Sequence, residues 1–164
     1  MKARELTAAL STQLKLLEEL LAILERETPE LAGVSLDAMA EINALKEDAV
    51  ARIEAHTDPL RHTIAEVAAS LGLPPDTTTL GEVAALLNKQ GNADVQRLHQ
   101  ELNRVAEQVR QVAAMNREIA ERFVSTVGNS LNFLARILNQ SSFYGASGGY
   151  QRPQPGAVII NRKA

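Results

Sequence analysis

Leu10, Leu14, Leu17, Leu21 and Leu24 recur at alternating steps of four and three, so all five fall on one narrow face of a helix. A stripe of this width is a coiled-coil seam, and it requires a partner helix. The run "ETPELAGVS" predicts its end, because Pro29 disfavours helix at Thr28 and Gly33 supplies a stop. Ser35 is placed to cap a second helix, in which Met39, Ile42, Ala49 and Ile53 keep helical spacing with Leu45 beside them. "HTDPL" interrupts at Pro59, after which Leu60, Ile64, Val67 and Leu71 resume the rhythm. Either Thr57 or Asp58 caps a new helix with Pro59 in its first turn, or one long helix kinks there; the kinked helix is the preferred reading. Gly72 and "LPPDTT" stop it.

"TLGE" at 79–82 has the Thr-x-x-Glu form of a capping box, which predicts a short helix to Asn88 and a turn at Gly91 and Asn92. Val95, Leu98, Leu102, Val105, Val109, Val112, Asn116, Ile119 and Phe123 then alternate steps of three and four. After a one-residue slip, Val127, Leu131, Leu134 and Leu138 continue the pattern. No proline and only one internal glycine, Gly128, occur between Asn92 and Asn139. A helix of that length measures roughly 70 Å, whereas a compact globule of this size is about 40 Å across. The expected fold is therefore all-α: an elongated antiparallel helical bundle or coiled-coil hairpin of three or four long helices. Residues 1–139 form the bundle, and 140–164, rich in Ser, Gly, Gln and Pro, are expected to be a flexible tail.

Composition sharpens this picture at two points. The chain of 164 residues holds three Phe, two Tyr and no Trp, so its core must be aliphatic, yet Phe143, Tyr144 and Tyr150 all sit in the tail. All 20 acidic residues lie before position 140, and the tail contributes Arg152, Arg162 and Lys163 to the 17 basic ones, leaving an acidic body with a basic end. An acidic body excludes a phosphate-backbone binder, which needs clustered cations. With no cysteine, disulfide and thiolate chemistry are excluded too. No run approaches the roughly 20 apolar residues that span a bilayer, and "MKARELTAAL" lacks the apolar stretch of a signal peptide, so the cytoplasm is the expected compartment.

Catalytic constellations are not found. His56, His62 and His99 lack metal-ligand spacing, so no metal and no cofactor are expected. The carboxylate pairs Glu18 and Glu19, or Glu118 and Glu121, have the spacing of a solvated face, and "GASGG" has neither the preceding strand nor the following helix of a phosphate cradle. An enzyme acting on a small-molecule substrate is not expected. His99 as a phosphorelay histidine is a minor alternative. What remains is surface: Asn116 sits in a seam between Val112 and Ile119, where a buried amide either sets register inside the bundle or meets a partner helix. Phe133 and Ile137 widen the seam of Val127 to Leu138 beyond two positions per heptad, leaving the same choice between core and partner surface.

A leucine seam, "NALKEDAVARIEAH" with Lys46, Arg61 shortly after it, "SLGL", "TTTLGEVAALL", "MNREIAERF" with Asn116, and "FYGASGG" occur in that order along essentially the whole chain. The order resembles the FlgN family of flagellar type III export chaperones. The resemblance implies a non-enzymatic cytoplasmic helical protein. It would bind the C-terminal helices of flagellar hook-filament junction proteins, prevent their early assembly, and deliver them to the export gate protein of the type III apparatus. Val112, Asn116, Ile119, Phe123, Val127, Leu131, Leu134 and Leu138 are the expected client-binding residues, taking an amphipathic helix into a groove. By the same resemblance, Tyr144 in "FYG" matches the aromatic that docks on the export gate; alternatively Phe143 and Tyr144 cap the bundle end. The basic tail is expected to give no stable membrane insertion. The competing reading of the whole chain is a self-associating coiled-coil scaffold.

Overall fold

The structure is a computed structural model that describes the backbone of residues 2–141 and the side chains of residues 2–138. The expected flexible tail and Tyr144 lie outside the described residues. Among the described residues four helices follow in order: α1 (Lys2–Gly33), α2 (Leu36–Ser70), α3 (Leu80–Lys89) and α4 (Asp94–Ser141). By internal contacts the chain divides into Met1–Ala120 and Glu121–Ala164. The all-α class and the helical bundle read from the heptad pattern are those observed.

Two prolines predicted to end or bend helices lie inside them. Helix α1 passes through Pro29 and α2 through Pro59. A proline removes the N–H that would reach the carbonyl four residues earlier, here Glu25 and Ala55. Both prolines and both of these carbonyl-bearing residues are exposed, so water can solvate the freed oxygens and neither helix need break. Of the preferred reading at Pro59, a kinked continuous helix, the continuity is observed; the stop expected at Thr28 is displaced to Gly33.

The turn into α2 departs from the sequence expectation in its detail. The Ser35 N–H donates to the Glu30 carbonyl at 3.4 Å, and the residue in the left-handed conformation between them is Val34, with φ of 56°. Gly33 stands one position too early to supply that conformation, which a β-branched residue adopts only at a cost. Ser35 occupies the N-cap position of α2 with extended backbone, but its side chain makes no capping hydrogen bond. At the far end of α2 the chemistry matches the geometry: Gly72 takes φ of 76°, and the Leu73 N–H reaches back to the Ala68 carbonyl at 2.9 Å.

Helices α1 and α2 form an antiparallel hairpin whose register is written in its polar pairs. Arg26 meets Glu41 at 2.9 Å, Lys46 pairs with Glu27, Arg52 meets Glu19 at 2.7 Å, and His56 Nε2 donates to the Ala9 carbonyl at 3.0 Å. Partners climb α2 as they descend α1. At the open end of the hairpin all four helices contribute to one aliphatic core, comprising Leu6 and Leu10, Val67 and Ala68, Val83, Ala84 and Leu87, and Val95 and Leu102. Helix α3 starts from the predicted capping box: Glu82 N–H donates to Thr79 Oγ1 at 3.3 Å, and Thr79 N–H to Glu82 Oε2 at 2.7 Å. These two bonds satisfy backbone donors that the first turn would otherwise leave open.

Candidate partner-binding helix

Helix α4 changes character along its length. From Val95 to Val105 its seam is core: Val95, Leu102 and Val105 are buried. Leu98, Val109, Val112 and Ile119 are half-buried at the same helical phase. In this stretch α4 also lies close to α3, where a Cβ placed on Gly81 would come within 3.3 Å of His99 Cε1. His99 is half-buried there, and Asn103 Nδ2 donates to its Nε2 at 3.1 Å. A ring nitrogen engaged in this way is poorly presented for phosphoryl transfer.

Asn116 closes the packed stretch. Only 4% of it is exposed, and each of its polar atoms has a partner from α1. Nδ2 donates to the Leu24 carbonyl at 2.8 Å and to Glu27 Oε2 at 2.9 Å, while Oδ1 accepts from the Thr28 hydroxyl at 2.7 Å. Glu27, 5% exposed, passes its other oxygen to Lys46 of α2. The result is a buried, satisfied polar junction of α1, α2 and α4. Burying a carboxyl group is costly unless its oxygens are paired in this way. Asn116 therefore spends its hydrogen-bonding capacity inside the chain, and its amide is not presented to a partner. Arg61, singled out with Lys46 by the sequence, is exposed and faces only Asp58, at 3.9 Å.

Every described side chain from Glu121 to Leu138 is exposed. Among them Phe123, Val127, Leu131, Leu134 and Leu138 are the apolar residues expected at a client site; Leu131 is 62% and Leu138 69% exposed. The eight expected residues thus fall into two groups. Val112, Asn116 and Ile119 belong to the first unit and are buried or half-buried, whereas the five from Phe123 onward belong to the second and are exposed. Val124, exposed like them, was missed by the sequence reading. The signal was present, since Val124, Val127, Leu131, Leu134 and Leu138 themselves form an unbroken 3, 4 series, which places the one-residue slip at Phe123 and Val124.

Among the described residues no group of His, Cys, Asp or Glu could hold a metal ion, and no helix is long and apolar enough to cross a membrane. Neither a curated protein nor a solved structure gives a significant match to the chain. The family model described as FlgN protein matches residues 1–152. With that match over residues 1–152 of a chain whose described elements are all α-helices, the protein belongs to the FlgN family of flagellar chaperones.

Proposed function

We propose that this chaperone binds the C-terminal helical segments of hook-filament junction proteins, keeps them from assembling in the cytoplasm, and delivers them to the export gate. The observation that supports the reading is the exposed series Phe123, Val127, Leu131, Leu134 and Leu138. Fully burying one such side chain contributes about 1.5–3 kcal/mol, so five of them together offer an amphipathic client helix a large driving force. Ordering a flexible client offsets part of it and leaves the modest affinity that a delivery protein needs. Tyr144 is the proposed contact to the export gate, an aromatic anchor flanked by glycine.

Co-purification with the C-terminal segments of the junction proteins tests the client. The paired substitution Leu131→Ser with Leu134→Ser is expected to abolish capture while leaving the melting temperature unchanged; undiminished capture would remove the stripe from the mechanism. Tyr144→Ala is expected to weaken recovery of the export gate protein without affecting client binding. Equal loss of both, with a lower melting temperature, would instead assign Tyr144 to the fold.

A further inference from the structure

Helix α4 is built from two kinds of sequence. In residues 94–122 the strong helix formers Ala, Leu, Met, Arg, Gln and Glu predominate, and beyond Val95 no weaker residue stands next to another. Ion pairs three residues apart brace this part: Asp94 with Arg97 at 3.2 Å, Glu101 with Arg104, and Glu107 with Arg110 at 2.8 Å. Residues 124–130, "VSTVGNS", are the reverse, a succession without one strong helix former and with Gly128 in it. No charged residue occurs in 123–135, so side-chain ion pairs cannot brace these turns.

Two details of the structure add to this. The Thr126 and Ser130 hydroxyls turn back onto the Arg122 and Thr126 carbonyls, at 2.9 and 3.0 Å, a bond that slightly weakens a helix. Thr7 and Thr57 make the same bond, but they are half-buried in the packed helices α1 and α2. Around Thr126 and Ser130 packing does not compensate, because every described side chain of residues 121–138 is exposed, and a helix owes most of its stability to the face it buries. Gly128 itself has no structural cause: a Cβ there would meet nothing within 4 Å, and its φ lies outside the left-handed region. What glycine supplies at an open helical position is freedom to leave the helix.

We infer that residues 124–130 are a built-in melting point of α4: residues 124–138 open locally while the unit Met1–Ala120 stays folded, and a partner that covers them folds them in the same event. Residues 131–138 read as good helix again, but they are too few to hold themselves once the turns before them open. The opening is a property of the free chain; only its use in capture rests on the client-binding reading above. A client taken up in this way is held while the segment is helical and let go when it opens, and ordering the segment offsets part of the contact energy.

Amide hydrogen exchange of the full chain, read by mass spectrometry, tests this. Amides of residues 131–138 are expected to exchange at least about 100-fold faster than those of residues 98–112. Replacing Ser125→Ala, Gly128→Ala and Ser130→Ala together should slow exchange in residues 131–138 by about 20-fold and leave residues 98–112 as in the wild type. Adding a C-terminal segment of a junction protein should protect residues 131–138 of the wild type. Equal protection of the two stretches in the free wild type, or exchange unchanged by the three replacements, overturns the inference and leaves client binding to a preformed helix in place. Fast exchange that the replacements slow, but that the junction-protein segment does not alter, upholds the melting point and removes the client reading.

Discussion

Glu27 is the residue on which the packed part of the molecule turns. It is a buried carboxylate, one oxygen held by Lys46 and the other by the Asn116 amide. Removing one partner of such a pair is expected to cost about 3–5 kcal/mol, because an uncompensated charge remains. Lys46→Met should therefore lower stability to denaturant by an amount of this order, and the double replacement Glu27→Leu with Lys46→Leu should recover much of it. A double replacement as unstable as Lys46→Met would show that packing, not charge, dominates. Val34 offers the reverse experiment. Its φ of 56° is in the left-handed region, next to a glycine that does not need its freedom. The exchange Gly33→Ala with Val34→Gly should raise stability by about 1–2 kcal/mol in chemical denaturation. That Asn116 is polar within a seam was legible from heptad spacing; that it meets Glu27 and Thr28 was not, since α1 lies almost 90 residues away in the chain.

Secondary structure at the level of whole helices followed closely from local chemistry where capping and spacing agreed. The capping box at Thr79, the turn at Gly72 and the long α4 are all local features, set by neighbours within a few residues. Hydrogen bonds from the Thr79 backbone N–H and hydroxyl hold the Glu82 carboxyl below its ordinary range. A depressed folded pKa means the unfolded chain binds the proton more readily. The capping contribution is thus present above the ordinary glutamate range, near 4.3, and is lost as pH falls through the lower folded value. Amide exchange in α3 should accelerate on acidification through that window, and Glu82→Gln should flatten the response. An unchanged acid response in the variant would assign the acid sensitivity to another group. The prolines mark the limit of such local reasoning. Pro29 read as a stop and Pro59 as a kink or a new start, but whether a helix passes through a proline depends on which face the proline occupies, and that face is chosen by the packing of α1 on α2.

Across the whole molecule, apolar surface is distributed unevenly. Most aliphatic side chains of α1, α2, α3 and the first part of α4 close over one another, with Leu36, Leu45, Val50 and Met115 exposed singly, while those from Phe123 to Leu138 are all exposed. Substitution within an exposed stripe is expected to change the stability of the free protein by no more than about 0.5 kcal/mol, whereas any partner that covers it should register the loss fully. Leu134→Ser is therefore expected to leave thermal unfolding of the free chain unchanged and to erase the stabilisation that a bound client confers. A melting temperature lowered in the free chain would mean that Leu134 is packed within the protein.

By itself the sequence determined the helices, the capping box at Thr79 and the apolar phase of each helix, because these depend on residues close in the chain and on a fixed helical repeat. It also carried the family resemblance, and it marked Phe133 and Ile137 as surplus width. Only the tertiary structure decided which of the two heptad stretches of α4 is core and which is surface. The spacing of Val105 and Val112 is indistinguishable in kind from that of Leu131 and Leu138. A heptad states that a face wants covering, and whether other helices of the same chain reach it is a property of the packed arrangement.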